Sequence, residues 1–455
     1  MTHNIPSLFA HQVETAEFII PKPHTFCTST PGTGKTRSLL EVHDRTPGKT
    51  LVVCPKTIMD AAWAADIKRF YPHVKYEVFN RKYQSQPYYY NRLFDENEIV
   101  IINHDAVKDV LDRVKSLPEL HNYSRLVYDE FTAIKNRTAI RSKASNKLAQ
   151  YFENKTLLSG SPTPKNLLDI WYPSYVLDGG QRLGASFYHF RNAICQPVAK
   201  RYGQAYTEWE VLPGAEEEVA YLLRDITIRH ELEEVLDMPE RIYRPMTLPM
   251  PDALRKQYQV MRQQALLELE GGDVSAVNAA VLSNKLLQIC SGSVYDSTGK
   301  AIKLHLDKYE LIRDLVAERD HSLVFIGWNH QVDALSDLYK KAGITFEVIN
   351  GSVPQTKRGQ IVEDFQRGKY QTLILHPAAA AHGLTLTRST TTIWASPTWN
   401  LEHFIQSNHR DYRAGQNKRS EVIMLEYADT IERRVYDNLQ KKTDVQTRLL
   451  EILKT

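Results

Sequence analysis

Cysteine is scarce in this sequence, four in 455 residues. Cys27, Cys54, Cys195 and Cys290 lie far apart and form no CxxC pair, which argues against a disulfide framework or a structural zinc site. No apolar leader opens the chain, so a reducing cytoplasm is expected. Long apolar runs are also missing. The longest are of strand length, such as TLVVC and IVII, whereas a membrane span needs about 20 apolar residues in a row, so no membrane partner is expected. Neither sign of charge is in excess: 57 Lys and Arg face 54 Asp and Glu, a net +3. That balance says little about partners, because a nucleic-acid surface is a local basic patch that a nearly neutral chain can carry. Low-complexity tracts and repeats of solenoid period are absent. What is present is an ordinary globular composition, 42% hydrophobic and 24% charged, in a chain long enough for two or three domains.

Apolar runs of strand length recur in two groups. The first comprises HTFCT (24–28), TLVVC (50–54), EIVII (98–102), RLVYD (125–129) and KTLLS (155–159). The second comprises SLVFIG (322–327), TFEVIN (345–350), QTLILH (371–376), TTIWA (391–395) and EVIMLEY (421–427). Near-continuous apolar strands alternating with helix-length stretches predict α/β units whose parallel sheets are covered on both faces. Function is then expected at the carboxyl ends of those strands. Between the groups the pattern turns helical and charged, as in AEEEVAYLLRDI and PDALRKQYQVMRQQALLELE, the latter stopped by Gly271-Gly272. We expect a first lobe over 1–240, with a helical insertion after about 173, and a second over 241–455, preceded by a helical segment to about 300.

The strand HTFCT runs into Ser29-Thr30-Pro31-Gly32-Thr33-Gly34-Lys35-Thr36 and then the helix-like RSLLEVHD. This fits GxxxxGK[ST] except that Ser29 replaces the first glycine. Backbone N–H groups at a helix N-terminus wrap phosphates, Lys35 reaches the β/γ-phosphates, and Thr36 offers its hydroxyl to Mg²⁺. A plain glycine-rich turn is the competing reading, and the strand-loop-helix context disfavours it. Strand RLVYD delivers Asp129-Glu130 at its carboxyl end. In nucleoside triphosphatases a strand-terminal aspartate holds Mg²⁺ and an adjacent glutamate polarises the attacking water. Asp129 and Glu130 are the candidates, with a solvated helix-capping pair as the bland alternative.

Read with the downstream segments, these residues resemble the superfamily 2 helicase-like ATPases, and within them the Swi/Snf-type branch. The resemblance covers nearly the whole chain and is most similar to compact phage- or prophage-encoded members. Leu8-Phe9-Ala10-His11-Gln12 is similar to the adenine-sensing segment, LVVCPKTIMDAAW (51–63) and INHDAV (102–107) to nucleic-acid-contacting motifs, and DEFTAIKN (129–136) to the branch's DEAHRIKN. SGSPTPKN (159–166) resembles the coupling motif, VFIGWNH motif IV, AAAAHGLTLT (378–387) motif V, and QSNHRDYRAGQ (406–416) the pattern QxxxRxxRxGQ. RHELEEVLDMPER (229–241) resembles the segment that ends the first lobe.

The resemblance implies two RecA-like lobes with helical elaborations between and around them, hydrolysing ATP with Mg²⁺ in the cleft. It implies that Gln12, Pro31, Gly32, Thr33, Gly34, Lys35, Thr36 and Gln406 bind nucleotide, that Thr36 and Asp129 hold the metal, and that Lys35, Asp129, Glu130, Arg410 and Arg413 are catalytic, the two arginines as fingers. Nucleic-acid contacts follow by the same matching: Lys56, Thr57, His104, Lys165, Asn166, Asn329, Thr385 and Thr387. The expected function is an ATP-dependent translocase or remodelling motor on double-stranded DNA, acting as a monomer. A strand-separating or fork-remodelling helicase and a catalytically weak DNA-binding module stand as alternatives. The second draws on departures from the family pattern: Ser29, Thr132 in place of histidine, and Ala380 and Ala381 in place of glycines. The tyrosines 83, 88, 89 and 90, set among Arg81, Lys82 and Arg92, allow base stacking, though clustered aromatics more commonly pack into a local core.

Overall fold

The structure, a computed structural model, describes every residue except 1–5, 87, 114–121, 164, 199–208, 271–275, 297, 381–382 and 455. It divides into two compact units. Unit 1 comprises 1–195, 211–237 and 442–455, and unit 2 comprises 196–210 and 238–441. The division is therefore not strictly sequential, since two short excursions cross it. Gly271 and Gly272, read as a helix stop, lie outside the described residues.

Unit 1 is built on seven parallel strands: β1 (His24–Cys27), β2 (Lys49–Cys54), β3 (Tyr76–Val78), β4 (Ile99–Asn103), β5 (Tyr123–Asp129), β6 (Asn154–Leu158) and β7 (Thr227–Ile228). Their order across the sheet is β3-β4-β2-β5-β6-β1-β7, and all adjacent pairs run parallel. Central strands are buried on both faces, as Leu51, Val52 and Val53 of β2 and Ile99 to Ile102 of β4 show. That is the parallel-sheet condition that makes such strands read as unbroken apolar runs. Phe131, bulkier than the residue usual at its place in DEAHRIKN, is fully buried with its ring 5.2 Å from that of Phe26 on β1. It fills core volume beneath the phosphate loop.

Unit 2 carries six parallel strands: β8 (Arg241–Leu248), β9 (Ser322–Phe325), β10 (Phe346–Ile349), β11 (Thr372–Leu375), β12 (Thr391–Trp394) and β13 (Ser420–Tyr427), in the order β8-β13-β12-β9-β11-β10. Alternation along β9 sends Leu323 and Phe325 into one apolar layer with Leu373, Leu375 and Trp394. Val324 goes to the opposite layer with Ile374, Ile393 and Ile423, under Tyr309, Leu335 and Tyr339. β8 has no counterpart among the strands expected from sequence. Its segment RIYRPMTL is half-exposed and contains Pro245, which suits only a sheet edge, where a missing N–H breaks no ladder; β8 is an edge strand.

A buried ion pair joins Lys308 to the segment after β13 in unit 2. Lys308 Nζ donates to both carboxylate oxygens of Glu432 at 2.7 and 2.9 Å, and Tyr427 N–H donates to Glu432 Oε2 at 2.9 Å. Both charged side chains are almost wholly excluded from solvent. Burial pushes the Glu432 carboxyl up and the Lys308 ammonium opposes it. Lys308→Ala strands that carboxylate, and a loss of about 3–5 kcal/mol in unfolding free energy is expected. The double change Lys308→Met, Glu432→Leu should recover most of it in denaturant melts. Equal stability of the Lys308→Ala variant and the parent would show the pair to be dispensable.

Candidate active site

Phosphate-loop conformation follows from its glycines. Gly34 sits at φ +83°, a left-handed residue that ends the loop and starts the helix Lys35–Arg45, and a Cβ there would collide with the side-chain amide of Gln12. Gln12 is itself fixed: its Oε1 accepts from Phe9 N–H at 3.1 Å, and its Nε2 donates to the Thr33 carbonyl at 3.2 Å. His11 Nε2 donates to the same carbonyl at 2.8 Å. Lys35 folds back, its Nζ donating to the Ser29 and Thr30 carbonyls at 2.7 and 3.2 Å. Thr36 lies in the first helical turn.

Ser29, the departure from the glycine pattern, has a structural use. Its hydroxyl accepts from His230 N–H at 3.0 Å, while Thr30 Oγ1 accepts from Leu232 N–H at 2.9 Å and the Thr28 carbonyl accepts from Arg229 Nη1 at 2.5 Å. The RHELEEV segment, similar in sequence to the end of a first lobe, thus braces one side of the loop.

Asp129 ends β5 and is buried. Its Oδ2 accepts from the Trp63 indole N–H and its Oδ1 from Glu130 N–H, each at 3.0 Å. Burial raises its pKa, and the Trp63 donor and the Lys35 charge pull it back. Glu130 adopts φ +54°, ψ +60°, a strained placement for a non-glycine residue and of a kind that clusters at functional sites. Ser159 Oγ donates to Glu130 Oε2 at 3.2 Å and accepts from Ser161 N–H at 3.1 Å. Next to it, Gly160 leaves room for Pro31 of the phosphate loop: a Cβ would lie 2.9 Å from Pro31 Cδ. Gln12, Pro31 to Thr36, Asp129 and Glu130 therefore gather at the carboxyl edge of the first sheet. Thr132 is buried just beyond them.

Unit 2 gathers a second group. Arg410 is buried, with Nε donating to the Gln406 carbonyl at 2.7 Å and Nη1 to the Leu384 carbonyl at 3.1 Å. Arg413 is half-buried. Its Nε donates to the His409 carbonyl at 2.8 Å and its Nη1 reaches Thr385 Oγ1 at 3.4 Å, and no carboxylate among the described residues pairs with it. Burial lowers its pKa to about 10, so it stays cationic at neutral pH. Gln406 is buried, its amide 3.4 Å from Glu402 Oε1. In motif V, Ala380 closes the short helix Pro377–Ala380, so no left-handed backbone is asked of it; Ala381 lies outside the described residues. Asp411, buried, is paired to Arg241 at 3.0 Å and accepts from Thr392 Oγ1, which anchors the arginine loop to the sheet.

The expected nucleic-acid residues fall into three kinds. Lys56, Lys165, Asn166, Asn329 and Thr385 are exposed, the first four near strand ends or helix starts and Thr385 in the loop before β12. Thr57 and Thr387 are half-buried, Thr387 Oγ1 accepting from Gln366 Nε2 at 3.1 Å. His104 is different: it is buried, its ring stacks on Tyr128 at 5.1 Å, and Nε2 donates to the Asp129 carbonyl at 2.9 Å. It supports the acidic motif from beneath and presents little surface to a strand. Of the tyrosines, Tyr89 and Tyr90 are core residues packed on Phe79, whereas Tyr88 is 82% exposed.

Comparison with known proteins settles the lineage. Residues 13–292 match the SNF2-related domain and residues 307–415 the helicase conserved C-terminal domain. The chain belongs to the SNF2-related family. It is therefore a helicase-like, DNA-dependent ATPase. It is 27% identical over 376 residues to protein p41 of Acyrthosiphon pisum secondary endosymbiont phage 1, covering 78% of this chain and 77% of that one, in keeping with the resemblance to phage-encoded members. It is 22% identical to the Mus musculus chromodomain-helicase-DNA-binding protein 1-like, over 89% of this chain and 44% of the relative. The Caenorhabditis elegans homologue of SWI/SNF-related matrix-associated actin-dependent regulator of chromatin subfamily A-like protein 1 is also 22% identical, with 97% and 61% covered. The chain thus spans only about half the length of these two animal relatives. Among solved structures it is similar to a Sulfolobus solfataricus SWI2/SNF2 ATPase core in complex with dsDNA, at 18% identity and a TM-score of 0.44, covering 97% of this chain and 92% of that one. Among the described residues no helix is long and apolar enough to cross a membrane.

Proposed function

We propose that this SNF2-related ATPase is a monomeric motor that steps along double-stranded DNA without general strand separation. What carries the reading is the gathering of a left-handed Gly34 loop, a buried Asp129 and a Glu130 held by Ser159 at one sheet edge. Asp129 suits a hard cation: each carboxylate oxygen accepts one donor and keeps lone-pair capacity. Thr36 and Asp129 would hold Mg²⁺, which when bound supplies charge neutralisation on the β- and γ-phosphate oxygens. In the proposed reaction Lys35 leaves the Ser29 and Thr30 carbonyls for the phosphates. Glu130 orients the attacking water, whose oxygen bonds the γ-phosphorus as the bond to the β,γ-bridging oxygen breaks. Gln12 reads the adenine edge, and Arg410 and Arg413, with Gln406 behind them, answer the developing charge.

DNA is proposed to lie on Lys56, Thr57, Lys165, Asn166, Asn329, Thr385 and Thr387, which engage phosphates and so carry no sequence information directly. The test measures ATP turnover without DNA, with single strands and with duplex, together with displacement of a triplex-forming third strand. Duplex should stimulate most, the third strand should be displaced, and binding should weaken steeply with salt. Preference for single strands with clear strand separation would replace translocation by unwinding, and no turnover under any condition would leave a binding module.

A further inference from the structure

Two segments matched to nucleic-acid motifs converge on one residue of the ATP site. The first runs from Lys56 into a π-helical turn, Met59–Ala64, a distortion found disproportionately at functional positions. It carries Trp63, 1% exposed, whose indole N–H ends on Asp129 Oδ2 at 3.0 Å. The second begins where β4 stops: His104 donates from Nε2 to the Asp129 carbonyl at 2.9 Å. A carbonyl only accepts, so the proton sits on Nε2 and the ring has one orientation in which it serves. With Glu130 N–H on Oδ1, the Asp129 carboxylate and its backbone are held from three directions.

We propose that Trp63 and His104 are positioning residues that transmit DNA engagement to the Mg²⁺-binding carboxylate of Asp129. This rests on the function proposed above. The physical content is short and contiguous. Phosphates drawn to Lys56 and Thr57 move the turn that carries Trp63, and the indole takes the Asp129 carboxylate with it. A shift of the loop after β4 pulls the Asp129 carbonyl through His104. Either motion changes how well the carboxylate meets a metal held with nucleotide, and by linkage metal-nucleotide then changes DNA affinity by the same factor.

The test is a binding cycle that reads no turnover. Affinity for a fluorescent non-hydrolysable ATP analogue is titrated with Mg²⁺, with and without duplex, and duplex affinity is titrated with and without the analogue. The parent chain should show reciprocal coupling of about fivefold or more. Trp63→Phe keeps an aromatic core but cannot donate. It should raise the Mg²⁺ concentration for half-maximal nucleotide binding and bring the coupling close to one. At the second contact His104→Gln retains an N–H donor and should keep the coupling, whereas His104→Leu should lose it at a comparable melting temperature. If Trp63→Phe does not fold, the glutamine-leucine contrast decides alone. Parental coupling in both Trp63→Phe and His104→Leu would overturn the inference while leaving the motor reading intact. A parent chain with neither coupling nor DNA-stimulated hydrolysis would instead overturn the reading of function.

Discussion

Lys35→Ala should reduce ATP turnover by about 10²–10³-fold or more, the cost of deleting a charged donor aimed at transition-state charge. Two features of the loop sharpen this. First, the ammonium already stands among the phosphate-binding backbone, 2.7 Å from the Ser29 carbonyl and 3.2 Å from that of Thr30, so it needs only a change of partner when phosphates arrive. Second, the loop does not depend on Lys35 for its shape. Gly34 sets the turn, Gln12 and His11 hold the Thr33 carbonyl, and the 229–232 segment braces Thr28, Ser29 and Thr30. The variant should therefore melt close to the parent, and the defect should be read in steady-state ATPase rates with saturating duplex. Near-normal turnover would remove the phosphate-loop assignment altogether.

How far the site could be read from sequence depends on what each residue reports locally. Strands β2, β4, β5, β9 and β11 were legible because burial on both faces leaves an unbroken apolar run. β3, of three residues, and β8, with Pro245 and mostly exposed side chains, leave no such trace, because an edge strand needs pairing on one side only. Motif spacing points to Lys35 and to the pair Asp129 and Glu130, since each of the two motifs is a contiguous stretch of chain. It could not locate Trp63 or the Arg229–Leu232 brace, whose partners lie 66 and about 201 residues away. It also gave His104 an outward role that its burial denies: the ring follows a strand end, as a contact residue would, yet Tyr128 and the Asp129 carbonyl draw it inward. Of the alanines that replace glycines in the segment similar to motif V, Ala380 is helical, so the replacement there asks for no left-handed backbone.

Arg413→Ala should stop turnover while leaving ATP binding nearly intact, a loss of about 10³–10⁵-fold in kcat if the side chain serves as a finger. Sequence treats Arg410 and Arg413 alike, three residues apart in one motif, but their surroundings separate them. Arg410 is enclosed, and its guanidinium bonds the Gln406 and Leu384 carbonyls; Arg410→Ala should therefore also lower stability by about 1–3 kcal/mol, because buried acceptors lose their donors. Arg413 is tethered by Nε to the His409 carbonyl and more loosely by Nη1 to Thr385 at 3.4 Å. Burial pulls its pKa down to about 10, which still leaves it charged at neutral pH. Such a cation gains most from an arriving anion, and forms its strongest bonds only when phosphate charge develops. Arg413→Lys should recover only part of the rate, since an ammonium lacks the planar fork. Nucleotide affinity, duplex-stimulated kcat and melting temperature, measured on Arg410→Ala and Arg413→Ala side by side, separate the two roles. Unchanged turnover in Arg413→Ala would refute the finger, and equal losses of stability in both variants would show Arg413 to be part of the scaffold instead.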